Sequence, residues 1–195
     1  MNIYTTAGVL VAASFGSFAM AGPVVDLAPG DSTGSLSGIS NSVMPELIGT
    51  VEYANYQSFT IGSPEAGAGG QLYDAMLLSS MIRSNQTGNL TFNFRIYNPD
   101  AGLSGQISHI EITGFSGLQT RVEYRNEATS PGDEGPSMAE RSIDGDMLTF
   151  GFGTSLETAE SSKFFFTMLD ISEFDFDNSS VQATIYLLSG EMCQK

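Results

Sequence analysis

Acidic side chains with the spacing of metal ligands lie near the carboxyl end of this sequence. Glu173, Asp175 and Asp177 alternate with aromatic residues, so in an extended segment their carboxylates lie on one face. Carboxylates this close repel one another unless solvent or a cation screens them, and Ca²⁺ accepts about six to eight oxygen ligands. The spacing predicts a weak Ca²⁺ site at Asp175, Asp177 and Asn178, with a solvated strand face as the alternative.

A second acidic pair, Asp144 and Asp146, flanks Gly145. Neither acidic segment has the spacing of an EF-hand loop, which requires a glycine and a closing glutamate at fixed positions. An Asp-Gly step is also typical of a tight turn between two strands. Asp144 and Asp146 are therefore either cation ligands or part of a hairpin turn.

The only histidine, His109, is the residue that a Ser-His-Asp hydrolase would need. Strand alternation in QISHIEI places it on the face opposite Ile110 and Ile112. The sequence contains no G-x-S-x-G elbow, so we expect a structural or surface role for His109. Paired carboxylates could also catalyse hydrolysis, but 22 acidic residues make such pairs common by chance. We therefore expect no catalytic residues, and we expect no zinc site because Cys193 is the only cysteine.

Charge narrows the classes of partner. The 195 residues include 22 Asp and Glu against 7 Lys and Arg, which gives a net charge of −15. A polyanion repels phosphate backbones and anionic lipid surfaces, so we expect no nucleic-acid partner. The acidity is concentrated in residues 126–195, which hold thirteen acidic and three basic side chains. That part of the chain is where a cation or a cationic partner is expected.

Residues 1–21 carry no charged side chain and end in the small-residue triplet Ala-Met-Ala. Ala19 and Ala21 have the small side chains that signal peptidase accepts, and Gly22 and Pro23 disfavour a continuing helix. The pattern predicts a signal peptide cleaved between Ala21 and Gly22, and a mature chain that is secreted or held at the cell surface. The apolar stretch is shorter than the roughly 20 residues of a transmembrane helix, so we expect no membrane anchor in this chain.

Short strands separated by turn residues dominate the rest of the chain. Residues 22–48 are a Gly/Ser/Pro-rich lead-in without a sustained period, and residues 49–195 are expected to form one domain. Eight segments read as strands, although the composition of the second also suits a helix: Gly49 to Ile61, Gln71 to Ile82, Leu90 to Tyr97, Gln106 to Phe115, Thr120 to Tyr124, Met147 to Phe152, Lys163 to Leu169 and Val181 to Leu188. Their number and spacing predict an all-β fold, an antiparallel β-sandwich or jelly roll.

Alternation within the strands predicts their faces. In Leu90 to Tyr97, every second side chain is apolar, which predicts one face in the core and one face in water. In Gly49 to Ile61, the same period places Val51, Tyr53 and Phe59 on one face and Tyr56 on the other.

The order of these segments resembles the secreted bacterial proteins of the PEP-CTERM type, which exosortase processes. The matching segments cover most of the chain from about residue 49: GNLTFNFRIYN (88–98), RVEYR (121–125), RSIDGDMLTFGFG (141–153) and SSKFFFTMLD (161–170). The chain ends in SGEMCQK and lacks that family's C-terminal sorting tail. The resemblance implies a location at the cell surface or in the extracellular matrix without a known enzymatic activity.

Three functions remain open at this point. The first is a secreted, non-enzymatic β-sandwich of the cell surface or extracellular matrix, with an extracellular polysaccharide or a cell-surface protein as partner. The second is a carbohydrate- or Ca²⁺-binding jelly-roll module, and the third is a hydrolase that uses two carboxylates. A groove lined by Tyr and Asn or Gln would favour binding, whereas two facing buried carboxylates would favour catalysis.

Overall fold

Two antiparallel sheets packed face to face form the protein, and the predicted all-β sandwich is confirmed. The computed structural model describes residues 24–62, 70–98, 102–174 and 181–188. Within these ranges there are eleven strands, and each of the eight predicted strands is among them: β1 (Val25–Leu27), β2 (Ser32–Thr33), β3 (Gly49–Gly62), β4 (Gln71–Ser84), β5 (Leu90–Tyr97), β6 (Ile107–Thr113), β7 (Thr120–Tyr124), β8 (Met138–Arg141), β9 (Met147–Leu156), β10 (Phe165–Leu169) and β11 (Gln182–Leu187). A single 3₁₀ turn, Pro45–Leu47, precedes β3. No helix in the described ranges is long and apolar enough to cross a membrane.

The strand order decides which side of the sandwich is open. Sheet A has the order β1-β7-β10-β5-β4-β3, and sheet B has the order β11-β6-β9-β8-β2. The short strands β1 and β2 close one side, while β3 and β11 form the edges on the other side. Nearly every residue of β3 is exposed on both faces, so sheet B does not cover this strand.

The core fills the space between the inner faces of the two sheets. The apolar positions of β5 are all buried there, as the alternation in the sequence predicted. They meet buried residues of β6, β9 and β10, and the main members of this core are Leu90, Phe92, Phe94, Ile96, Ile110, Ile112, Leu148, Phe150 and Phe165. Edge-to-face and tilted ring pairs, such as Phe150 and Phe165 with centroids 4.9 Å apart, add to the burial of apolar surface.

The outer face of β5 differs from the prediction of a solvated face. Thr91 and Asn93 are only 3% and 2% exposed. The physical reason is that the lead-in packs over this part of sheet A, in a second apolar cluster of Ile39, Met44, Leu47, Phe166 and Met168. Polar residues of β5 are therefore buried beside this cluster, because a segment distant in sequence covers them.

The lead-in is also paired and hydrogen-bonded to both sheets. Its strand β1 pairs with β7 in sheet A, and β2 pairs with β8 in sheet B. The buried carboxylate of Glu123 accepts backbone N–H bonds from Ser37 at 3.2 Å, Gly38 at 3.0 Å and Tyr124 at 3.0 Å. Residues 24–48 thus form part of the sandwich and leave the β3 side of sheet A uncovered.

Candidate functional site

A groove of about 750 Å³ lies between the two sheets on their open side. Strand β3 of sheet A forms one wall, β4 and β5 form the floor, and β11 of sheet B with Val181 forms the other wall. Ligand pockets in proteins typically measure about 300–1,000 Å³, so the groove has the size of a binding site. It exists because β3 lies at the sheet edge without a strand of sheet B against it.

Alternate residues of β3 turn toward this groove. Tyr53, Asn55, Gln57, Phe59 and Ile61 line it. The pairing of β3 with β4 is regular over this stretch, from Tyr53 opposite Met81 to Ile61 opposite Tyr73. The regular period of two therefore presents two aromatic rings, two amides and one aliphatic side chain along one wall.

The predicted position of Val51 is wrong. The ladder between β3 and β4 shifts between Val51 and Tyr53, so Val51 pairs with Ile82 and Tyr53 pairs with Met81. A β-bulge inserts one extra residue and reverses the alternation beyond it. Val51 consequently lies on the outer face of sheet A, opposite to Tyr53 and Phe59.

The floor and the second wall of the groove are mainly apolar. Phe92, Phe94 and Leu77 line the floor, and the ring of Phe92 meets the ring of Phe174 edge-to-face with centroids 5.0 Å apart. On β11, Ile185 pairs with the buried Ile110 and therefore faces inward. Ala183 lies on the same inward face, whereas Gln182 and Thr184 border the groove from positions whose side chains share the outer face with Tyr186. The polar side chains above the apolar floor are therefore those of β3, Asn55 and Gln57.

The described lining of the groove carries no charge. Among the described residues that line it, none is Asp, Glu, Lys, Arg or His. This contrasts with a chain whose net charge is −15. An uncharged cleft with amides and hydroxyls can donate and accept hydrogen bonds to a neutral polar ligand. Its described lining includes no pair of facing carboxylates of the kind that acid–base hydrolysis uses.

Comparisons with protein-family models, with characterised proteins and with solved structures found no match to this chain. The function must therefore be inferred from the chemistry of the site itself. Fold class alone does not provide it, because one sandwich architecture supports many unrelated functions.

The two tyrosines of β3 lie on opposite faces of sheet A. Tyr53 lines the inter-sheet groove, whereas Tyr56 lines a separate cavity of about 370 Å³ on the outer face. The two rings therefore cannot form a single stacking platform for one sugar chain. Only Tyr53 is combined with the amides of Asn55 and Gln57.

The outer cavity is bordered by a half-buried ion pair. Arg125 Nη2 lies 2.6 Å from Glu127 Oε1, and the backbone N–H of Asn41 donates to the same oxygen at 3.1 Å. Burial acts to raise the pKa of Glu127, but the hydrogen bonds and charge of Arg125 and the N–H of Asn41 outweigh it, so this pKa is lowered. The ion pair and the bond from Asn41 connect the lead-in to the segment that follows β7. Arg125 and Glu127 also line one side of the outer cavity.

His109 belongs to a surface cluster on the outer face of sheet B. Its ring stacks on that of Tyr186 with centroids 4.3 Å apart, and its Nδ1 lies 2.9 Å from Ser108 Oγ. The Tyr186 hydroxyl donates to Glu111 Oε2 at 2.7 Å, and this bond raises the pKa of Tyr186. Glu111, the carboxylate two residues from His109 on the same face of β6, is thus bonded to Tyr186. This geometry supports a surface role.

The predicted Ca²⁺ ligands Asp175, Asp177 and Asn178 lie outside the described residues. The site stays a prediction, and a melting temperature unchanged by millimolar Ca²⁺ would contradict it. Within the described ranges, no group of three or more His, Cys, Asp or Glu residues is placed to hold a metal ion.

Asp144 and Asp146 form part of the turn between β8 and β9. Asp144 Oδ1 accepts from Ser142 Oγ at 2.6 Å and from the Asp146 N–H at 3.2 Å. The bond from Ser142 is the main reason that the pKa of Asp144 is lowered. Gly145 has a positive φ of 75°, which favours glycine. These contacts match the hairpin alternative given by the Asp-Gly step.

Sequence reasoning missed Asn55, Gln57 and Gln182 as site residues. The first two alternate with Tyr53 and Phe59 on β3, so their shared face was visible in the sequence. A polar residue on an alternating strand normally indicates a face in bulk water. Only the strand order shows that this face borders a groove, and that Gln182 of β11 lies across it.

Proposed function

We propose that this protein is a secreted, non-enzymatic binding module that holds a neutral carbohydrate chain in the groove between its sheets. One observation carries the proposal: the groove combines Tyr53, Asn55 and Gln57 on an apolar floor and has no charged residue among its described lining. This arrangement suits a polar, uncharged ligand.

Sugar rings have the complementary chemistry. Their hydroxyl groups can both donate and accept hydrogen bonds, and the side-chain amides of Asn55 and Gln57 do the same. Their C–H faces are apolar and pack on aromatic rings such as Tyr53 and Phe59. A groove that is open along the sheet edge leaves room for a chain longer than the part that is bound.

Charge favours a neutral polysaccharide over an acidic one. The chain carries a net charge of −15, and its field repels uronate or sulfate groups. In contrast, an uncharged glycan has no unfavourable long-range interaction with the protein, and its affinity depends on contacts within the groove.

The proposed location rests on sequence features. The charge-free segment 1–21 with its Ala-Met-Ala end supports export, and the resemblance to PEP-CTERM-type proteins supports a place at the cell surface or in the extracellular matrix. Extracellular polysaccharide is the partner that fits both the location and the groove.

Calorimetry with neutral and acidic oligosaccharides tests this function. We expect binding of neutral chains, and at least a tenfold loss of affinity in the double variant Asn55→Ala/Gln57→Ala. The matched control is Gln86→Ala, which removes an exposed amide from the turn after β4. Equal affinity of the double variant and the control would overturn the proposal, as would release of shorter sugars from the bound chain.

A further inference from the structure

Strand β3 presents a long backbone edge. Among the described residues it pairs with β4 alone, on one side, although it is 14 residues long. The ladder to β4 is regular from Tyr53 to Ile61 and shifts at both ends of this segment. A regular edge of this length carries a row of N–H and C=O groups toward its open side, which is a template for another strand.

This edge lacks the features that usually prevent pairing between molecules. Natural edge strands are short, carry Lys or Pro, contain a bulge, or have a charged side chain that points inward. The other three sheet edges, β1, β2 and β11, have 3, 2 and 6 residues. From Tyr53 to Gly62, β3 contains no charged residue and no proline. The bulge near Glu52 disrupts pairing only at the first few residues of β3.

We propose that β3 pairs antiparallel with β3 of a second copy of this chain, with the two-fold axis near Gln57. Two-fold symmetry brings the same surface of both copies together, and an antiparallel pair of identical strands satisfies it. With this centre, Tyr53 lies opposite Ile61 of the second copy, and Asn55 lies opposite Phe59. The two sheets A join into one sheet of twelve strands.

The low charge of this edge allows two acidic chains to approach each other there. In the antiparallel pair, the two Glu52 residues lie at opposite ends, ten residues apart along the strand, which is about 34 Å. This exceeds the Debye length of about 8 Å at physiological salt, so their repulsion is screened. Each Glu52 carboxylate is also 2.9 Å from Arg83 Nε of its own chain, which offsets its charge.

Pairing at β3 would place the grooves of the two copies side by side. The groove-lining residues of each β3 lie on the same face of the joined sheet, because the alternation of an antiparallel pair is continuous across it. The dimer is inferred from the backbone edge of β3 and does not rest on the proposed carbohydrate binding. Its test measures the mass of the particle in solution, so either proposal can fail without the other.

Sedimentation velocity of the purified chain over a range of concentrations tests this inference. We expect a dimer that dissociates on dilution. Ala54 and Ser58 lie on the outer face of β3 and do not line the groove. The variants Ala54→Glu/Ser58→Glu and Ala54→Lys/Ser58→Lys should each raise the dissociation constant at least tenfold. An equal mixture of the two should dimerise again, because positions 54 and 58 of one copy are diagonal neighbours of position 58 of the other, and opposite charges then lie within reach of each other.

The control variant is Ile143→Glu, which places a charge on a side chain that is 90% exposed in the hairpin turn between β8 and β9. It should leave the dissociation constant unchanged. Hydrogen exchange of the unaltered chain gives an independent measure, and we expect β3 amides to gain protection as concentration rises. A monomer at all concentrations, dimers that persist in both charged variants, or β3 amides that exchange independently of concentration would overturn the proposal.

Discussion

Arg141 Nη1, at the end of β8 in sheet B, donates a 2.9 Å hydrogen bond to the carbonyl oxygen of Leu27, at the end of β1 in sheet A. The same guanidinium donates to the carbonyl oxygens of Phe115, Leu118 and Gly145. Arg141 is 2% exposed, and burial lowers the pKa of its guanidinium. The carbonyl dipoles of residues from both sheets stabilise its charge. These hydrogen bonds connect the two sheets on the side away from β3 and β11.

Replacing Arg141 should destabilise the fold strongly. Arg141→Met leaves several buried carbonyl oxygens unpaired, and we expect a loss of about 3 kcal/mol in the free energy of unfolding. Arg141→Lys should recover only part of this, since an ammonium lacks the planar fork of donors. Urea unfolding measures both. Arg83→Lys, in an exposed pair with Glu52, is the control and should cost at most about 1 kcal/mol. Similar losses for Arg141→Met and Arg83→Lys would contradict the role given to Arg141.

Neutralising Glu123 should loosen the lead-in from sheet A. In Glu123→Gln, a side-chain NH₂ replaces one of the two oxygens that accept from Ser37, Gly38 and Tyr124. We expect a loss of about 1–3 kcal/mol in the free energy of unfolding. Amide exchange should be faster at Ser37 and Gly38 than in the unaltered protein. Glu140→Gln changes an exposed carboxylate and should have no such effect. Unchanged exchange at Ser37 would show that Glu123 does not hold the lead-in.

Acid should remove the stabilisation that Glu127 provides. Its pKa in the folded protein is lowered from the ordinary value of 4.5. The folded state therefore binds this proton less readily than the unfolded state, and the contribution is present above pH 4.5 and is lost as pH falls through the lower, folded pKa. Urea unfolding at a series of pH values should show Glu127→Gln less stable at neutral pH, with the difference shrinking in acid. A difference that is constant with pH would argue against the Arg125 pair as its source.

Truncating the two tyrosines of β3 should separate groove binding from effects on the outer face. Tyr53→Ala removes a ring from the groove, and we expect at least a tenfold loss of affinity for a neutral oligosaccharide, or about 1.4 kcal/mol of binding free energy. Tyr56→Ala removes the same ring three residues away, on the outer face, and should leave the affinity unchanged. Calorimetry compares the two. Equal losses would place the ligand elsewhere on the molecule.

The sequence could predict most strands because their signal is local. The alternation from Leu90 to Ile96 identified a strand and its buried face, since a period of two is a property of neighbouring residues. The Asp144-Gly145 step likewise indicated the hairpin turn, because the turn is built from bonds within a few residues. The choice of strand for Gln71 to Ile82 is confirmed as β4.

Local pattern could not reveal how distant segments pack. The burial of Thr91 and Asn93 depends on the lead-in, which lies about fifty residues earlier in the chain. The bulge before Tyr53 reversed the predicted face of Val51, because the register with β4 decides where an extra residue is accommodated. Three short strands, β1, β2 and β8, were missed because two to four residues carry too little period to detect.

The sequence by itself determined the acidic character of this protein, its strand-rich architecture and the faces of its core strands, all of which follow from composition and near-neighbour spacing. Only the tertiary structure decided that β3 is an edge strand, that Tyr53, Asn55 and Gln57 border a groove, and that Gln182 lies across it. The reason is physical. Strand order and sheet stacking are set by contacts between residues far apart in the chain, and a groove forms where those contacts leave one strand uncovered.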